Sequence, residues 1–223
     1  MIHFGFIDAL REKREKGKNA VIGEIKAFSL TRGDLLRGRD PLGILKAYEN
    51  AGCAGISYIT ARSFNGSLEI LKKICRETEL PVLRKDFVEE KMEIERTAEA
   101  EADALLLIAR ILRYRTSEFV DLCFEHGIEP LVEVFSDDDL VYAEKARAVL
   151  VNNRDIFNPS DVNLQRTFRL APKLKGFKIS GSGISKPEDL KVLEVVNAVL
   201  VGTSFMLAEN TEEFVRSFVE ARL

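Results

Sequence analysis

Short apolar runs that end in a charged or polar residue recur along the chain, in the segments VIGEIK, PVLRKDF, PLVEV and AVLVNNRD. Two further runs, FKISGSGI and AVLVGTS, end in glycine and hydroxyl-bearing residues. A buried strand that ends in a charged side chain must place that group where it is solvated or paired, because an isolated buried charge is costly. If the strands lie parallel and side by side, all of these ends meet at one rim. Such a rim would suit an anionic substrate.

Strand-like and helix-like segments alternate along the sequence with a period of roughly 25 residues. Several strand-like segments are apolar throughout, as burial on both faces of a parallel sheet requires. The predicted strands are residues 20–26, 54–59, 81–85, 103–108, 131–134, 148–152, 177–180 and 198–201. The predicted helices are residues 41–50, 67–77, 89–100, 117–125, 137–145, 163–170, 186–194 and 211–222. Asp40 and Ser185 support two of these helices, because each offers a capping side chain just before a helix-starting proline.

Eight strands that alternate with eight helices predict an α/β fold, the (β/α)8 TIM barrel. An open doubly wound sheet is the alternative. No linker or low-complexity segment interrupts the pattern, and 223 residues suit a barrel of this kind as one unit. We therefore expect a single domain over residues 1–223, in which residues 1–19 form a helix and a loop before the first strand.

The composition argues against several classes of function. The net charge is −3, with 33 basic and 36 acidic residues, so no overall basic field favours nucleic acid as a partner. The three cysteines, Cys53, Cys75 and Cys123, lack zinc-site spacing, and only two histidines occur, so we expect no metal site. No apolar run approaches the length of a membrane span, and the N-terminus lacks a signal-peptide core. We expect a cytoplasmic monomer with no membrane partner.

The polar strand ends supply an acid, a base and hydrogen-bonding groups. Glu24 and Lys26 are predicted to point the same way, because alternate residues of a strand share a face. A structural ion pair inside the barrel is the alternative for these two residues. Lys85 ends the third predicted strand, Glu133 the fifth and Asn152 the sixth. Together these side chains could perform general acid–base chemistry.

The neighbours of these groups complete the predicted rim. Arg84 and Asp86 flank Lys85 and should face the surrounding helices, whereas Arg154 should share a face with Asn152. Lysines crowded in a dry pocket lower one another's pKa, which would let one of them donate a proton near neutrality. A nearby carboxylate would oppose this effect by favouring the ammonium form. The sequence leaves the balance between these two effects open.

The seventh and eighth predicted strands lead into glycine-containing loops. Barrels often bind phosphate between these two loops, through backbone N–H groups. Gly183, Gly202 and Thr203 fit this role, and tight turns without a ligand are the alternative. Ser29, in the loop after the first strand, could add a hydroxyl group, and Arg32 could add a positive charge.

Several motifs now occur in a recognisable order: EIKxxS, RKDF, DALLLI, LVEV, NNRD, SGI and LVGTS. In this order they resemble indole-3-glycerol phosphate synthase of tryptophan biosynthesis, from about Val21 to the C-terminus. The resemblance implies a (β/α)8 barrel that uses no cofactor. It also implies a phosphorylated small-molecule substrate, 1-(2-carboxyphenylamino)-1-deoxyribulose 5-phosphate. The family closes a ring on this substrate, with loss of carbon dioxide and water, to form indole-3-glycerol phosphate.

The same resemblance implies roles for individual residues. Lys85 would be the general acid that acts on the substrate carbonyl, and Glu133 the general base in the dehydration. Lys26 would bind the carboxylate and donate a proton, while Glu24 and Asn152 orient these groups. The residues implied in substrate binding are Arg154, Ser182 and Phe87. The residues implied in phosphate binding are Ser29, Gly183, Gly202 and Thr203.

The chain departs from the family pattern at three places. SGSG replaces SESG on the seventh strand, so Gly181 stands where a carboxylate is expected. Leu30 replaces a proline in the first loop, and Ala61 and Arg62 follow SYIT where an acidic residue is expected. We therefore expect a synthase weakened at Gly181. The alternatives are an engineered or diverged barrel that uses a pocket lysine for Schiff-base chemistry of the retro-aldol type, and a phosphate-binding barrel without turnover.

Overall fold

The computed structural model describes residues 5–222. Within this part of the chain, eight parallel strands close into a barrel, because the last strand pairs with the first and places Val21 opposite Val199. The barrel strands are Val21–Ile25, Gly55–Ile59, Val82–Lys85, Ala104–Ile108, Glu129–Val134, Ala148–Asn152, Phe177–Gly181 and Ala198–Val201. The predicted (β/α)8 barrel is confirmed, and the open doubly wound sheet is wrong.

Helices connect the barrel strands on the outside. The α-helices are Gly5–Glu15, Pro41–Ala51, Leu68–Glu77, Met92–Glu99, Ala109–Leu112, Thr116–Glu125, Gln165–Leu170, Thr203–Leu207 and Thr211–Val219. The 3₁₀ helices are Arg62–Phe64, Arg113–Arg115, Asp137–Ala143, Ala171–Lys173 and Pro187–Glu194. Residues 1–4 and 223 of the predicted domain lie outside the described residues.

Several predicted boundaries require correction. The helices expected at residues 137–145 and 186–194 are 3₁₀ helices, and the helix expected from residue 89 begins at Met92. The short antiparallel pair Phe28–Ser29 and Gly33–Asp34 in the first loop was not predicted from the sequence. The helix Thr203–Leu207 after the last barrel strand was not predicted either. These elements are only two to five residues long, too short for a periodic pattern to reveal.

Local capping explains where several helices begin. The Asp40 carboxylate accepts a hydrogen bond from the Leu42 N–H at 3.2 Å, as predicted for the helix that starts at Pro41. The prediction for Ser185 is wrong, because the cap before Pro187 comes from Asp189. The carboxylate of Asp189 accepts the N–H of Ser185 at 2.8 Å and the N–H of Lys186 at 3.1 Å.

The apolar residues form layers inside and outside the barrel. The interior includes Ile22, Leu106 and Leu150, and the helix Gly5–Glu15 closes its N-terminal end with Phe6, which is fully buried. Outside, the helices pack against the strands over separate apolar clusters. Among the described residues, no helix is long and apolar enough to cross a membrane. Because the N-terminal end is plugged, the C-terminal ends of the strands provide the open face of the barrel.

Candidate active site

A carboxylate between two lysines lies at the C-terminal end of the barrel. The Glu24 side chain is 4% exposed, with Oε1 2.9 Å from Lys26 Nζ and Oε2 3.4 Å from Lys85 Nζ. Glu24 and Lys26 come from the end of the first strand and Lys85 from the end of the third. The prediction that Glu24 and Lys26 share a face is confirmed, and Glu24 also forms an ion pair with Lys85.

The charges in this cluster stabilise one another. Burial favours the neutral form of Glu24, but Lys26 and Lys85 outweigh it and lower the pKa of Glu24 from 4.5 to about 2. Burial likewise opposes the charge on Lys85, yet Glu24 and then Glu133 raise the pKa of Lys85 above 10.5. The question left open by the sequence is thereby decided for Lys85, because the carboxylates outweigh both burial and the nearby Arg154 cation. Lys85 is an ammonium group at neutral pH.

The second carboxylate, Glu133, is held differently. Its side chain is 3% exposed, and Oε1 accepts a hydrogen bond from Asn152 Nδ2 at 3.0 Å. Burial raises the pKa of Glu133 above 4.5, and it exceeds the opposing effects of Lys85 and Asn152. A carboxylate with a raised pKa binds a proton more readily, which suits a general base. Glu24 and Glu133 therefore differ in acidity although both are buried beside Lys85.

Asn152 contacts both Glu133 and Arg154, which is a further cation of the site. Its Oδ1 accepts the backbone N–H of Arg154 at 3.0 Å, while the Arg154 guanidinium donates to the Pro159 carbonyl. Burial lowers the pKa of Arg154 below its ordinary value, the Glu24 carboxylate opposes this shift, and the positive charge of Arg32 adds to the lowering. Arg32 and Arg154 thus line one cavity at the strand ends, and their two positive charges favour an anion there.

One side of this cavity is apolar and aromatic. Phe64 and Phe87 stack with ring centroids 6.4 Å apart, and Phe87 is 41% exposed. Leu30, which replaces the expected proline, lies in the same wall and is 55% exposed. The wall adjoins Lys26, Lys85 and Glu133, so a flat aromatic group bound there would lie against the charged cluster.

The other side of the cavity is polar and rich in glycine. Its lining includes Gly183, Gly202, Thr203, Ser182 and Arg32. Among the described residues, the N–H group of Gly183 has no hydrogen-bond acceptor in the protein and is therefore available to a ligand. These features fit the phosphate site predicted from the sequence.

Ser29 and Gly202 have particular places in this arrangement. Ser29 lies on the aromatic side of the cavity, with Oγ 3.3 Å from Thr31 Oγ1, whereas Thr31 itself borders both sides. A Cβ atom at Gly202 would lie 2.2 Å from Glu24 Oε1. Gly202 therefore leaves the space that the Glu24 carboxylate occupies, a role that sequence reasoning did not assign to it.

The position of Gly181 has room for a side chain. Gly181 is buried at the end of the seventh strand, next to Asn152 of the sixth. A Cβ atom there would lie 3.4 Å from Leu150 Cδ1, an ordinary contact with the end of a flexible side chain. The backbone of Gly181 does not have a positive φ angle. A larger residue at this position is therefore compatible with the backbone.

Three polar residues beside the site were predicted to different extents: Arg84 as observed, Asp86 in part and Asn153 not at all. Arg84 is 1% exposed and faces the helix Met92–Glu99, as predicted, where it donates to Thr97 Oγ1 at 2.9 Å. Asp86 pairs with Arg84 at 3.1 Å but also lines the cavity, which was not expected. Asn153, the second asparagine of NNRD, is fully buried and makes a dense set of hydrogen bonds. Its position directly beside Asn152 was the only signal in the sequence.

The described residues contain no group of three or more His, Cys, Asp or Glu side chains that could hold a metal ion. A (β/α)8 barrel with lysines, carboxylates and a cavity at the C-terminal ends of its strands has the layout typical of enzymes with this fold. The chain belongs to the indole-3-glycerol phosphate synthase family, whose model matches residues 2–218. It is thus a lyase-type enzyme of tryptophan biosynthesis, from a family that acts on a phosphorylated small molecule.

Curated relatives agree with this family. The chain is 60% identical over 220 residues to the tryptophan biosynthesis protein TrpCD of Archaeoglobus fulgidus, a match that covers 97% of this chain and 40% of that protein. It is 51% identical over 231 residues to the indole-3-glycerol phosphate synthase of Pyrococcus furiosus, with 100% of both chains covered. The chain therefore spans less than half of the first relative and all of the second.

A solved structure supports the fold. The tryptophan synthase alpha chain from Legionella pneumophila matches with a TM-score of 0.68 and 12% identity, covering 96% of this chain and 95% of that one. At this identity the match shows a shared barrel fold.

Proposed function

We propose that this chain converts 1-(2-carboxyphenylamino)-1-deoxyribulose 5-phosphate to indole-3-glycerol phosphate, with release of carbon dioxide and water. In this proposal it acts as a carboxy-lyase, in the cytoplasm, as a single-domain monomer and without a cofactor. The observation that carries the proposal is the contrast between Lys85, which is partly buried, and Glu133, which is buried. Nearby carboxylates hold Lys85 as an ammonium group, whereas burial raises the pKa of Glu133, and both lie beside an aromatic wall and a cavity lined by arginines.

Each group has a step to perform. Lys85 donates a proton to the substrate carbonyl oxygen during ring closure, because its ammonium form is maintained by Glu24. Lys26 binds the substrate carboxylate until carbon dioxide leaves. Glu133 then takes up the proton that the substrate loses in the dehydration, and Lys26 donates a proton to the departing hydroxyl group, which leaves as water. Asn152 keeps the Glu133 carboxylate in place. Arg154, Ser182 and Phe87 bind the remainder of the substrate, and the phosphate binds at Gly183, Gly202 and Thr203 on the polar side of the cavity. Ser29, which was expected at the phosphate, lies on the aromatic side instead.

The geometry favours this proposal over Schiff-base chemistry. A lysine must lose its proton before it can attack a carbonyl carbon. Lys85 is instead stabilised in its protonated form by Glu24 and Glu133. A phosphate-binding barrel without turnover would have no use for a buried acid and base side by side, since burying such groups is costly.

The replacement Glu133→Gln tests the assigned base. We expect kcat to fall by about 10²–10⁴-fold, because glutamine keeps the shape of the side chain but cannot accept the proton. Indole fluorescence can follow the product against a chain that contains no tryptophan. Glu129→Gln is the matched control, because Glu129 is 3% exposed but lies at the opposite end of the barrel and should leave kcat unchanged. A Glu133→Gln protein with full activity would remove Glu133 from the mechanism.

The replacement Gly181→Glu tests the expected weakening. We propose that the unaltered chain is active but slow, because a carboxylate that the family pattern places at residue 181 is missing. Gly181→Glu should raise kcat/KM by about tenfold or more, as expected for one preorganised group. Gly181→Gln is the control of the same length without the charge, and it should give a smaller increase. If Gly181→Glu leaves the rate unchanged or lowers it, Gly181 is not a defect.

A further inference from the structure

Asn153 occupies the centre of a buried hydrogen-bond network between the sixth and seventh strands. It is fully buried, and its Nδ2 lies 3.0 Å from Ser180 Oγ, 3.0 Å from the Gly181 carbonyl oxygen and 3.1 Å from the Ser182 carbonyl oxygen. Its backbone N–H donates to the Gly181 carbonyl at 2.9 Å. All of these contacts end on residues 180–182, so Asn153 fastens the end of the seventh strand to the sixth.

The other end of the amide is held equally firmly. Asn153 Oδ1 accepts the Thr167 N–H at 3.1 Å and the Thr167 hydroxyl at 2.9 Å. The Thr167 hydroxyl also lies 2.6 Å from Ser180 Oγ. With acceptors for Nδ2 and donors for Oδ1, the Asn153 amide has one orientation only.

The segment that Asn153 fastens has an unusual backbone. Ser182 has a φ angle of 65° and Gly183 one of 78°. A non-glycine residue with positive φ is uncommon and persists where the surrounding structure enforces it. Gly181, which directly precedes this turn, has no side chain that could help to hold it in place. The hydrogen bonds of Asn153 to the carbonyls of Gly181 and Ser182 therefore enforce this turn.

The turn belongs to the candidate phosphate site. Ser182 and Gly183 line the polar side of the cavity, and the Gly183 N–H points to no acceptor within the described protein. Asn152 precedes Asn153 directly and holds Glu133 at 3.0 Å. Asn153 thus stands between Asn152, which holds the proposed base Glu133, and the loop of the candidate phosphate site.

We infer that Asn153 is a positioning residue that keeps the Ser182–Gly183 turn in its phosphate-binding conformation. It touches no substrate atom itself. The inference rests on the proposed function only in the identity of the substrate, because binding of inorganic phosphate can be measured without turnover. A simple stabilising role for Asn153 would instead lower the stability of the barrel and leave phosphate affinity unchanged.

The test uses the full chain with Asn153→Asp and Asn153→Ser. Both replacements remove the amide donors, and the serine introduces no buried charge. The probe is inorganic phosphate, whose dissociation constant is measured by titration calorimetry beside the KM for the substrate. We expect both constants to rise by about tenfold or more, as for the loss of hydrogen bonds in a buried network, and kcat to change less than KM.

Thr167→Val is the matched control, because it removes a hydroxyl from the same buried network but no contact to residues 181 and 182. It should lower the melting temperature and leave phosphate affinity unchanged. Unchanged phosphate affinity in both Asn153 variants would overturn the inference, as would an equal loss of affinity in Thr167→Val. If the unaltered chain binds phosphate but shows no turnover, the proposed function fails while the inference about Asn153 is still decided.

A measurement on the unaltered chain covers the case in which neither Asn153 variant folds. Inorganic phosphate should shift the NMR resonances of the Ser182 and Gly183 amides together with the side-chain amide of Asn153. Shifts at Ser182 and Gly183 without any change at Asn153 would overturn the inference.

Discussion

At the residue scale, the chemistry of the site depends on how each buried charge is paired. Glu24 has two lysine partners, so its pKa falls to about 2 despite burial. Glu133 has an asparagine as its hydrogen-bond partner, so burial dominates and its pKa rises. Two glutamates that look alike in the sequence thus acquire different acidities. Glu24 remains ionised across the whole neutral and mildly acidic range.

The replacement Glu24→Gln should change the pH profile of the enzyme. Removing the carboxylate removes the largest influence that raises the pKa of Lys85, so burial lowers this pKa. Lys85 must carry a proton to act as the acid, and activity is therefore lost as pH rises through its pKa. The alkaline limb of kcat/KM should move from above pH 10.5 towards neutral pH in Glu24→Gln. Glu129→Gln should leave the limb in place, and an unmoved limb in Glu24→Gln would mean that Lys85 is not the acid.

At the scale of elements, the site depends on close contacts between a strand end and the loop of its neighbour. The eighth strand, Ala198–Val201, pairs with the first strand. Gly202 directly follows the eighth strand. Because Gly202 lacks a side chain, the Glu24 carboxylate can lie against its backbone. On the outer face of the first strand, Gly23 leaves room for the ring of Tyr48, because a Cβ atom at Gly23 would lie 2.4 Å from Tyr48 Cδ2. On both faces of the first strand, a glycine therefore makes room for a larger side chain.

The replacement Gly202→Ala should displace Glu24 from its lysines. The added methyl group would lie 2.2 Å from Glu24 Oε1, so the carboxylate must move. A displacement of about 1 Å in a site of this kind can lower the rate about 10²-fold, and we expect a fall in kcat/KM of that order. Gly43→Ala is the control, because a Cβ atom at Gly43 meets nothing within 4 Å. Equal activities of Gly202→Ala and Gly43→Ala would contradict the packing that we describe.

At the scale of the whole molecule, the two ends of the barrel are built differently: one is closed by a helix and the other carries the candidate active site. Its N-terminal end is closed by the helix Gly5–Glu15, which is fastened by a hydrogen bond of 3.0 Å from the Ile7 N–H to the Glu129 carboxylate. Its C-terminal end carries the polar strand ends and the cavity. Residues at the closed end should therefore affect stability, whereas those at the open end should affect the reaction.

The replacement Glu129→Ala tests this separation. We expect the free energy of unfolding in urea to fall by about 1–3 kcal/mol, because the buried N–H of Ile7 loses its acceptor. The value of kcat/KM should stay the same. Glu12→Ala is the control on the same helix, because its solvent-exposed pair with Lys16 should contribute little to stability. A loss of activity in Glu129→Ala, measured below its unfolding midpoint, would show that the two ends are coupled.

The sequence by itself determined the barrel and the order of its polar strand ends. Apolar strands that alternate with helices bury both faces in a parallel sheet covered by helices, and eight such repeats favour the closed barrel over an open sheet. The same pattern located Lys85, Glu133 and Asn152 at one rim, where the structure brings them together. Capping residues beside prolines gave the start of the helix Pro41–Ala51 but not the cap at Asp189, because Asp189 acts from within the following turn.

Only the tertiary structure decided the distances across the barrel. The pKa of Lys85 depends on two carboxylates from other strands, whose separation from it follows from barrel closure and register rather than from local pattern. The space beside Gly202 and the network around Asn153 likewise join segments that are far apart in the chain. A residue type shows which chemistry is available, but its partners across the fold decide which form of that chemistry it performs.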